Sequence, residues 1–119
     1  MQVNGVFINY LLYGKNKGET IVLLHGWGQN IDMMRPIGDY FADDYRVLIV
    51  DLPGFGKSGE PKTVWSLDDY VNALQELFNN LKIEKKIIMG HSFGGKLALL
   101  YASMSFSSPD RIARILSSI

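Results

Sequence analysis

The sequence has no cysteine, only two histidines, and no excess of charge of either sign. Without cysteine the chain forms neither disulfides nor thiolate metal sites, which fits a reducing compartment, so we expect a cytoplasmic protein. Because twelve basic side chains balance twelve acidic ones, the charge favours neither nucleic acid nor an anionic membrane as a partner. The histidines have no acidic residue at ligand spacing, so we expect no metal and no other cofactor.

A targeting segment and long apolar runs are also missing. The first residues lack a basic region followed by an apolar core, so we expect no signal peptide. No apolar run approaches the ~18 residues of a membrane span, and the sequence shows no internal repeat. A chain of 119 residues has room for one domain, which we expect to span residues 1–119.

The pattern Gly-His-Ser-Phe-Gly at residues 90–94 stands between two apolar stretches, the first able to form a strand and the second a helix. A G-x-S-x-G pattern in this context is typical of a nucleophile elbow, a sharp turn that exposes a serine hydroxyl. Side chains two positions before and after the serine would collide with the turn, which explains Gly90 and Gly94. The motif therefore predicts that Ser92 is a catalytic nucleophile.

Four predominantly apolar stretches predict strands that are buried on both faces. They are residues 20–24, 46–50, 86–89 and 111–116. Upstream of them, Asn4-Gly5 divides residues 3–13 into two short strands, because this pair favours a tight hairpin turn.

Helical patterns separate the apolar strands, at residues 32–41, 66–81 and 93 to about 106. The second pattern begins with a capping box made by Ser66 and Asp69, and its apolar residues recur every three or four positions on one face. The first pattern predicts a short, weak helix because Pro36 and Gly38 interrupt it.

Strands that alternate with helices predict an α/β fold with a mostly parallel sheet, flanking helices and an antiparallel hairpin at the N-terminal edge. Ligands bind at the carboxyl ends of the strands in such sheets. Those ends carry residues 25–27, 51–53 and 91–93, so we expect three loops to share one rim.

In three motifs the sequence resembles the α/β-hydrolase family. The motifs are Leu-His-Gly-Trp-Gly at residues 24–28, Asp-Leu-Pro-Gly-Phe-Gly-Lys-Ser at residues 51–58 and Gly-His-Ser-Phe-Gly-Gly at residues 90–95. The first two are most similar to small carboxylesterases of the pimeloyl-acyl-carrier-protein methyl esterase kind. The resemblance implies an α/β-hydrolase fold that hydrolyses a small-molecule carboxylic ester or thioester.

The resemblance also implies a role for individual residues. Ser92 would be the nucleophile, and the main-chain N–H groups of Trp27 and Phe93 would form the oxyanion hole. Serine at the elbow argues against dehalogenases, which look similar but carry aspartate there. The rings of Trp27, Phe55, Trp65 and Phe93 either line an acyl pocket or are ordinary core and rim residues.

The acid and the histidine of the family's triad follow the nucleophile in the chain. None of the residues after Ser92 is histidine, and Asp110 is their only acid, at the start of a strand and thus at the opposite rim. We therefore expect an incomplete domain, the N-terminal half of the fold. His25 either acts as a base or holds the oxyanion loop by hydrogen bonds, whereas His91 should point away from Ser92.

The predicted strand at residues 111–116 would form an open parallel edge. We expect a second copy of the chain, or a complementing chain, to pair with it.

Glycines 54, 56 and 59 match a G-x-G-x-x-G pattern after a strand. A dinucleotide site needs a helix to begin there, but Glu60-Pro61-Lys62 follows, and a P-loop needs glycine where Asp51 stands. We interpret the glycines as a tight loop at the rim and Asp51 as a structural hydrogen-bond acceptor.

Three functions are consistent with these residues: an ester or thioester hydrolase, a hydrolase of C–C bonds in meta-cleavage products, and a non-catalytic product or half that needs a partner chain. A serine without a base is a poor nucleophile, and loss of the base lowers kcat roughly 10⁶-fold in another triad enzyme. We therefore predict that the purified 119-residue chain hydrolyses p-nitrophenyl esters barely faster than its Ser92→Ala variant. Robust turnover that Ser92→Ala abolishes would contradict this prediction.

Overall fold

The computed structural model describes residues 1–15 and 18–104. Their elements are β1 (Gln2–Val3), β2 (Val6–Phe7), β3 (Tyr10–Gly14), β4 (Thr20–Leu24), α1 (Ile31–Phe41), β5 (Arg46–Val50), α2 (Leu67–Asn80), β6 (Lys86–Gly90) and α3 (Phe93–Met104). The predicted strand at residues 111–116, the end of the last predicted helix and Asp110 lie outside the described residues. In the described part of the chain, no helix has both the length and the apolar character to cross a membrane.

The main sheet has four strands in the order β3-β5-β4-β6. β4 pairs in parallel with both β5 and β6, and β3 pairs antiparallel to β5. The chain leaves β4, crosses through α1 to one side of it, and later crosses through α2 to the other side. The predicted α/β fold with a mostly parallel sheet is confirmed.

The N-terminal hairpin is confirmed, but it forms a sheet of its own rather than the edge of the main sheet. β1 pairs only with β2, around Asn4 and Gly5, which both have positive φ. The prediction of two strands over residues 3–13 misses a break after β2, beyond which β3 joins the main sheet. The break has a physical cause, since Ile8 is fully buried and Asn9 donates its side-chain amide to Asp51.

Apolar side chains alternate between the two faces of the sheet and form two cores. One core lies under α1 and contains Ile21, Leu23, Met34, Val47, Ile49 and Met89. The other lies under α2 and α3 and includes Val22, Leu24, Leu48, Val50, Leu74, Phe78, Ile88 and Leu97. Because helices cover both faces, the strands β4, β5 and β6 are predominantly apolar, as predicted.

Helix α1 is continuous, so the predicted interruption at Pro36 and Gly38 was wrong. Asn30 caps the helix by accepting the Asp32 N–H at 2.9 Å. Gly38 lets the helix lie close against the sheet, since a Cβ atom there would stand only 3.0 Å from Cδ1 of Ile49. Packing against β3 and β5 therefore outweighs the weak helical propensity of this stretch.

The capping box at the start of α2 is confirmed. The Ser66 hydroxyl accepts the Asp69 N–H at 3.3 Å, and the Asp69 carboxylate accepts the Ser66 N–H at 2.8 Å. Most of the predicted apolar face is buried, namely Tyr70, Val71, Leu74, Leu77 and Phe78, whereas Leu67 is exposed and Leu81 is half-buried.

We predict that Ser66→Ala lowers the free energy of unfolding by about 1 kcal/mol, because the N–H groups of the first turn of α2 lose their cap. Ser66→Asp, which keeps an acceptor oxygen at the cap, should remain close to the wild type. Urea denaturation followed by circular dichroism measures both variants. Equal midpoints for Ser66→Ala and the wild type would show that the capping box adds nothing to stability.

Candidate active site

Ser92 lies on the tight turn between β6 and α3, with its side chain exposed. Its φ of +54° lies in the left-handed region, which a residue with a side chain rarely adopts. Hydrogen bonds hold the turn, since the His91 N–H donates to the Leu24 carbonyl at 3.0 Å and the Gly94 N–H donates to the His91 carbonyl at 2.9 Å. The structure thus has the strained strand-to-helix geometry of a nucleophile elbow at the serine that the motif singled out.

The two glycines of the motif are required by close contacts of the backbone. A Cβ atom on Gly90 would overlap the backbone of Gly94, which is the collision within the turn that the sequence predicted. A Cβ atom on Gly94 would instead overlap the Leu24 carbonyl group. The first turn of α3 therefore packs directly on the end of β4, a contact between segments that are far apart in the sequence.

Three loops begin at the same level of the sheet, as predicted. In the parallel register Leu24, the last residue of β4, pairs with Val50 of β5 and with Gly90 of β6. Since the chain leaves β4 toward opposite neighbours, this level is a topological switch point, where ligands bind in open α/β sheets.

The loop after β4 is a tight turn around Trp27 and Gly28. The Gln29 N–H donates to the Gly26 carbonyl at 3.0 Å, and the Gln29 side chain accepts the Gly26 N–H at 2.9 Å. Gly28, the third residue of the turn, has a φ of +77°, as a type II turn requires. Gln29 was not singled out from the sequence, because no motif marks a glutamine that closes a turn by its side chain.

His25 joins the loop after β4 to the loop after β5. Its Nε2 accepts the Leu52 N–H at 2.9 Å, so its Nδ1 carries the proton and donates to the Gly26 carbonyl at 2.7 Å. The ring is completely buried, and this burial lowers the pKa of the imidazole below its usual value. Of the two roles considered for His25, the structure supports holding the loop, because both ring nitrogens are occupied.

The hydrogen bonds to the Gly26 carbonyl also orient the N–H of Trp27. These two groups belong to one peptide unit, which is planar, so fixing the oxygen fixes the direction of the N–H. His25 and Gln29 both donate to this oxygen, and the Trp27 N–H then points the opposite way. Through this one peptide unit, the hydrogen bond from His25 determines the direction of the Trp27 N–H.

Neither the Trp27 N–H nor the Phe93 N–H donates to any atom of residues 1–15 and 18–104. Phe93 begins α3, and N–H groups in a first helical turn have no partner within the helix. The Trp27 and Phe93 rings touch edge to face, with centroids 5.0 Å apart. The structure thus brings the three predicted site residues, Ser92, Trp27 and Phe93, to the same rim.

His91 contacts the loop after β4 through its main chain and its ring. Its main chain bridges to β4, and its ring lies beside Gly26, with Cδ2 3.0 Å from where a Gly26 Cβ atom would stand. The expectation that this side chain points away from Ser92 stays a prediction.

Asp51 is a buried acceptor for three donors that come from three segments of the chain. One carboxylate oxygen accepts the Ile31 N–H at 2.8 Å, and the other accepts the Lys57 N–H and the Asn9 side-chain amide, each at 2.9 Å. The structural interpretation of Asp51 is confirmed. The dinucleotide interpretation fails, since no helix begins before Leu67 in the glycine-containing loop.

Aromatic rings form a continuous series beside the elbow. Ring centroids are 4.6 Å apart for Trp27 and Phe55, 5.3 Å for Phe93 and Tyr70, and 5.3 Å for Tyr70 and Trp65. Tyr70 joins the rings from α2, although its helical spacing had marked it only as a core residue. Its hydroxyl donates to the Pro53 carbonyl at 3.3 Å, which ties α2 to the loop after β5.

A hollow of about 300 Å³ lies beside Asp51 and is lined by Asn9, Asn30, Arg35 and Lys57, among others. None of the three predicted site residues lines it. The Asp51 carboxylate at its wall already accepts three hydrogen bonds from the chain. We therefore assign the hollow to the surface between α1 and the loop after β5, and not to the candidate site.

The burial of neutral His25 predicts a dependence of stability on pH. The pKa of His25 is lower in the folded chain than the usual ~6.5. The contribution of the neutral ring to the free energy of unfolding is therefore complete above about pH 6.5 and is lost as the pH falls below 6.5. Between about pH 7 and pH 5 the free energy of unfolding should fall by at most about 1.4 kcal/mol per pH unit on account of this proton. Urea denaturation at several pH values measures the slope.

His25→Gln removes the titrating ring, so its stability should fall less steeply over the same interval. Identical slopes for His25→Gln and the wild type would show that protonation of His25 is not linked to unfolding.

Comparison with known proteins adds to this geometry. The protein-family model described as alpha/beta hydrolase fold matches residues 19–118. Epoxide hydrolase 3 of Xenopus tropicalis is 31% identical over 104 residues, which are 86% of this chain and 28% of that protein.

Solved structures of longer chains are similar over nearly the whole chain. Cfl2 from Burkholderia cenocepacia aligns with a TM-score of 0.89 at 29% identity, covering 100% of this chain and 40% of its own. The enol-lactonase from Burkholderia xenovorans LB400 aligns with a TM-score of 0.83 at 28% identity, covering 95% of this chain and 43% of its own. The chain thus spans less than half the length of each of these proteins. With a family model that covers most of its residues, an elbow serine at the switch point of a doubly wound sheet, and these structural neighbours, this chain belongs to the α/β-hydrolase family.

Proposed function

We propose that Ser92 is the nucleophile of a serine hydrolase that cleaves small carboxylic esters or thioesters through an acyl-enzyme. The observation that carries the proposal is the exposed Ser92 side chain at a φ of +54°, between β6 and the first turn of α3. Backbone strain of this kind is maintained only where the surrounding structure determines it, and it is concentrated at functional sites. The absence of cysteine supports a cytoplasmic location for this activity.

The proposed reaction has two steps. Ser92 Oγ attacks the carbonyl carbon, its proton passes to a base, and the bond from that carbon to the alcohol or thiol breaks as the proton moves to the leaving group. Water then attacks the acyl group on Oγ, releases the carboxylic acid and returns the proton to Ser92. No redox step and no further reactant are needed.

The N–H groups of Trp27 and Phe93 are the proposed donors to the oxyanion that develops on the carbonyl oxygen. In another serine hydrolase, removing one such donor raises the barrier by about 2.7–4 kcal/mol. In this chain His25 would act on the rate only indirectly, because its Nδ1–H orients the peptide unit to which the Trp27 N–H belongs.

The base of the proposed mechanism comes from outside this sequence. His25 uses both ring nitrogens, His91 lies beside Gly26, and no histidine follows Ser92. A longer product or a second polypeptide chain would supply the histidine and its acid. The 119 residues would then be the half of the enzyme that holds the nucleophile and stabilises the oxyanion.

Serine at the elbow favours acyl transfer over epoxide opening, although an epoxide hydrolase is among the similar proteins. Attack of Oγ on an epoxide carbon would form an ether, which water does not cleave, so the enzyme would stop after one turnover. Attack on an ester forms a new ester, which water hydrolyses. Cleavage of C–C bonds in vinylogous diketone acids is the alternative, and the assay below includes such a substrate.

The test is covalent modification of Ser92 by a fluorophosphonate with imidazole added as a substitute for the missing base, so that Oγ displaces fluoride from phosphorus and the hydroxyl proton passes to imidazole. We expect peptide mass spectrometry to find the adduct on Ser92, none on the Ser92→Ala variant, and full labelling of a Ser103→Ala control, since Ser103 is an exposed serine elsewhere on α3. Added imidazole, as a substitute for the missing base, should accelerate release of p-nitrophenol from p-nitrophenyl butyrate in a Ser92-dependent way. An unlabelled Ser92 contradicts the proposal, and Ser92-dependent turnover of the diketone acid alone favours the C–C bond alternative.

A further inference from the structure

We propose that Phe55 is a positioning residue for the oxyanion hole. Its ring holds the Gly26–Trp27 peptide unit so that the Trp27 N–H faces the Ser92 hydroxyl. This inference rests on the proposed function for its effect on rate, whereas the geometry of the rings stands by itself.

The side chain of Trp27 has little burial of its own to hold it in place. The residue is 65% exposed, and the residue that follows it, Gly28, has no side chain that could cover the indole. Two rings contact the indole edge to face. The centroid of Phe55 lies 4.6 Å from that of the indole at an interplanar angle of 73°, and the centroid of Phe93 lies 5.0 Å away at 89°. Edge-to-face pairs of this kind stabilise an arrangement beyond what the area that they bury contributes.

Phe55 contacts the side chains of His25 and Trp27, the residues immediately before and after Gly26. Besides the indole, the Phe55 ring contacts the imidazole of His25, with ring centroids 5.7 Å apart and an interplanar angle of 83°. His25 in turn donates to the Gly26 carbonyl, and the Trp27 N–H is on the opposite side of the same plane. Phe55 therefore contacts both His25, which donates a hydrogen bond to this peptide unit, and Trp27, which supplies its N–H group.

The loop that carries Phe55 is itself held firmly. The Phe55 N–H donates to the Leu52 carbonyl at 2.9 Å, and its carbonyl accepts the Ser58 N–H at 3.0 Å. The Ser58 hydroxyl donates to the Asp51 carbonyl at 2.6 Å, and the Asp51 carboxylate accepts the Lys57 N–H. A ring on such a loop can restrain a more exposed neighbour such as Trp27.

Loss of the Phe55 ring would leave Phe93 as the one ring paired with the indole in the described part of the chain. It would also remove the ring contact to His25, so that the Gly26–Trp27 peptide unit, still hydrogen-bonded to His25 and Gln29, would be held less firmly. The Trp27 N–H meets charge that develops only as the reaction proceeds, so its misplacement should lower the maximal rate without weakening binding of the ground state. A direct substrate contact by Phe55 would have the opposite signature, a higher half-saturating concentration at an unchanged rate.

The first experiment requires no activity. In a Trp65→Phe background Trp27 is the only tryptophan of the 119-residue chain. We expect Phe55→Ala to lower the fluorescence anisotropy of Trp27 and to increase its quenching by acrylamide, whereas Phe55→Tyr, which keeps the ring, should leave both unchanged. Unchanged anisotropy and quenching in a folded Phe55→Ala protein would overturn the inference whether or not Ser92 reacts.

The second experiment measures the rate at which the fluorophosphonate modifies Ser92, resolved into a maximal rate and a half-saturating concentration. We expect Phe55→Ala to lower the maximal rate about tenfold, with the half-saturating concentration changed less than about twofold. Phe55→Leu, which keeps most of the volume without a ring, should also lose rate, and Phe55→Tyr should restore it. Tyr40→Ala is the matched control, since Tyr40 is an exposed aromatic residue on α1.

The outcomes separate the two proposals. A reactive Ser92 whose maximal rate is the same with Phe55→Ala and Phe55→Leu overturns the role of Phe55 and leaves the proposed function intact. An unreactive Ser92 in the wild type overturns the proposed function, and the fluorescence of Trp27 then decides the positioning role. Should Phe55→Ala fail to fold, the folded Phe55→Leu and Phe55→Tyr variants give the same comparison.

Discussion

The candidate site depends on the end of β4, where the backbone of Leu24 meets the first turn of α3. The Leu24 carbonyl accepts the His91 N–H, and Gly94 approaches it so closely that no side chain would fit. To make this contact the chain must turn sharply at Ser92, and the positive φ of Ser92 reflects this turn. Without it, α3 would start farther from the sheet and Phe93 would be farther from Trp27.

From the same point of β4, one buried imidazole ties two loops together. His25 accepts from Leu52 after β5 and donates to Gly26 after β4, and it can do both only as the neutral ring. Asp51 has the corresponding role at the end of the neighbouring strand β5, where its carboxylate joins α1 to the loop of Phe55. Both groups are buried, and both ring nitrogens of His25 and both carboxylate oxygens of Asp51 have hydrogen-bond partners, which is the condition under which buried polar side chains specify one arrangement. The rim is therefore organised by two polar residues, and the aromatic rings complete it.

Much of this could be predicted from local patterns. The apolar runs that became β4, β5 and β6, the capping box at Ser66 and the elbow glycines each depend on residues within a few positions, so the sequence displays them directly. Predictions were wrong where distant contacts decide. Helix α1 is continuous despite Pro36 because the sheet stabilises it. The second predicted strand breaks between β2 and β3 because Asn9 donates a hydrogen bond to Asp51, more than forty positions away.

The sequence by itself determined the α/β fold and the serine at its elbow, because periodicity and the spacing of glycines express backbone requirements that neighbouring residues meet. Only the tertiary structure decided which nitrogen of His25 carries the proton, which way the Gly26–Trp27 peptide unit faces and which rings touch Trp27. The proton position on His25 and the ring contacts of Trp27 follow from contacts between loops that are more than twenty residues apart in the chain. The peptide unit takes its direction from the nearby Gln29 and from His25, whose tautomer the distant Leu52 N–H determines. Such contacts arise only when the parallel register brings the ends of β4, β5 and β6 to one level.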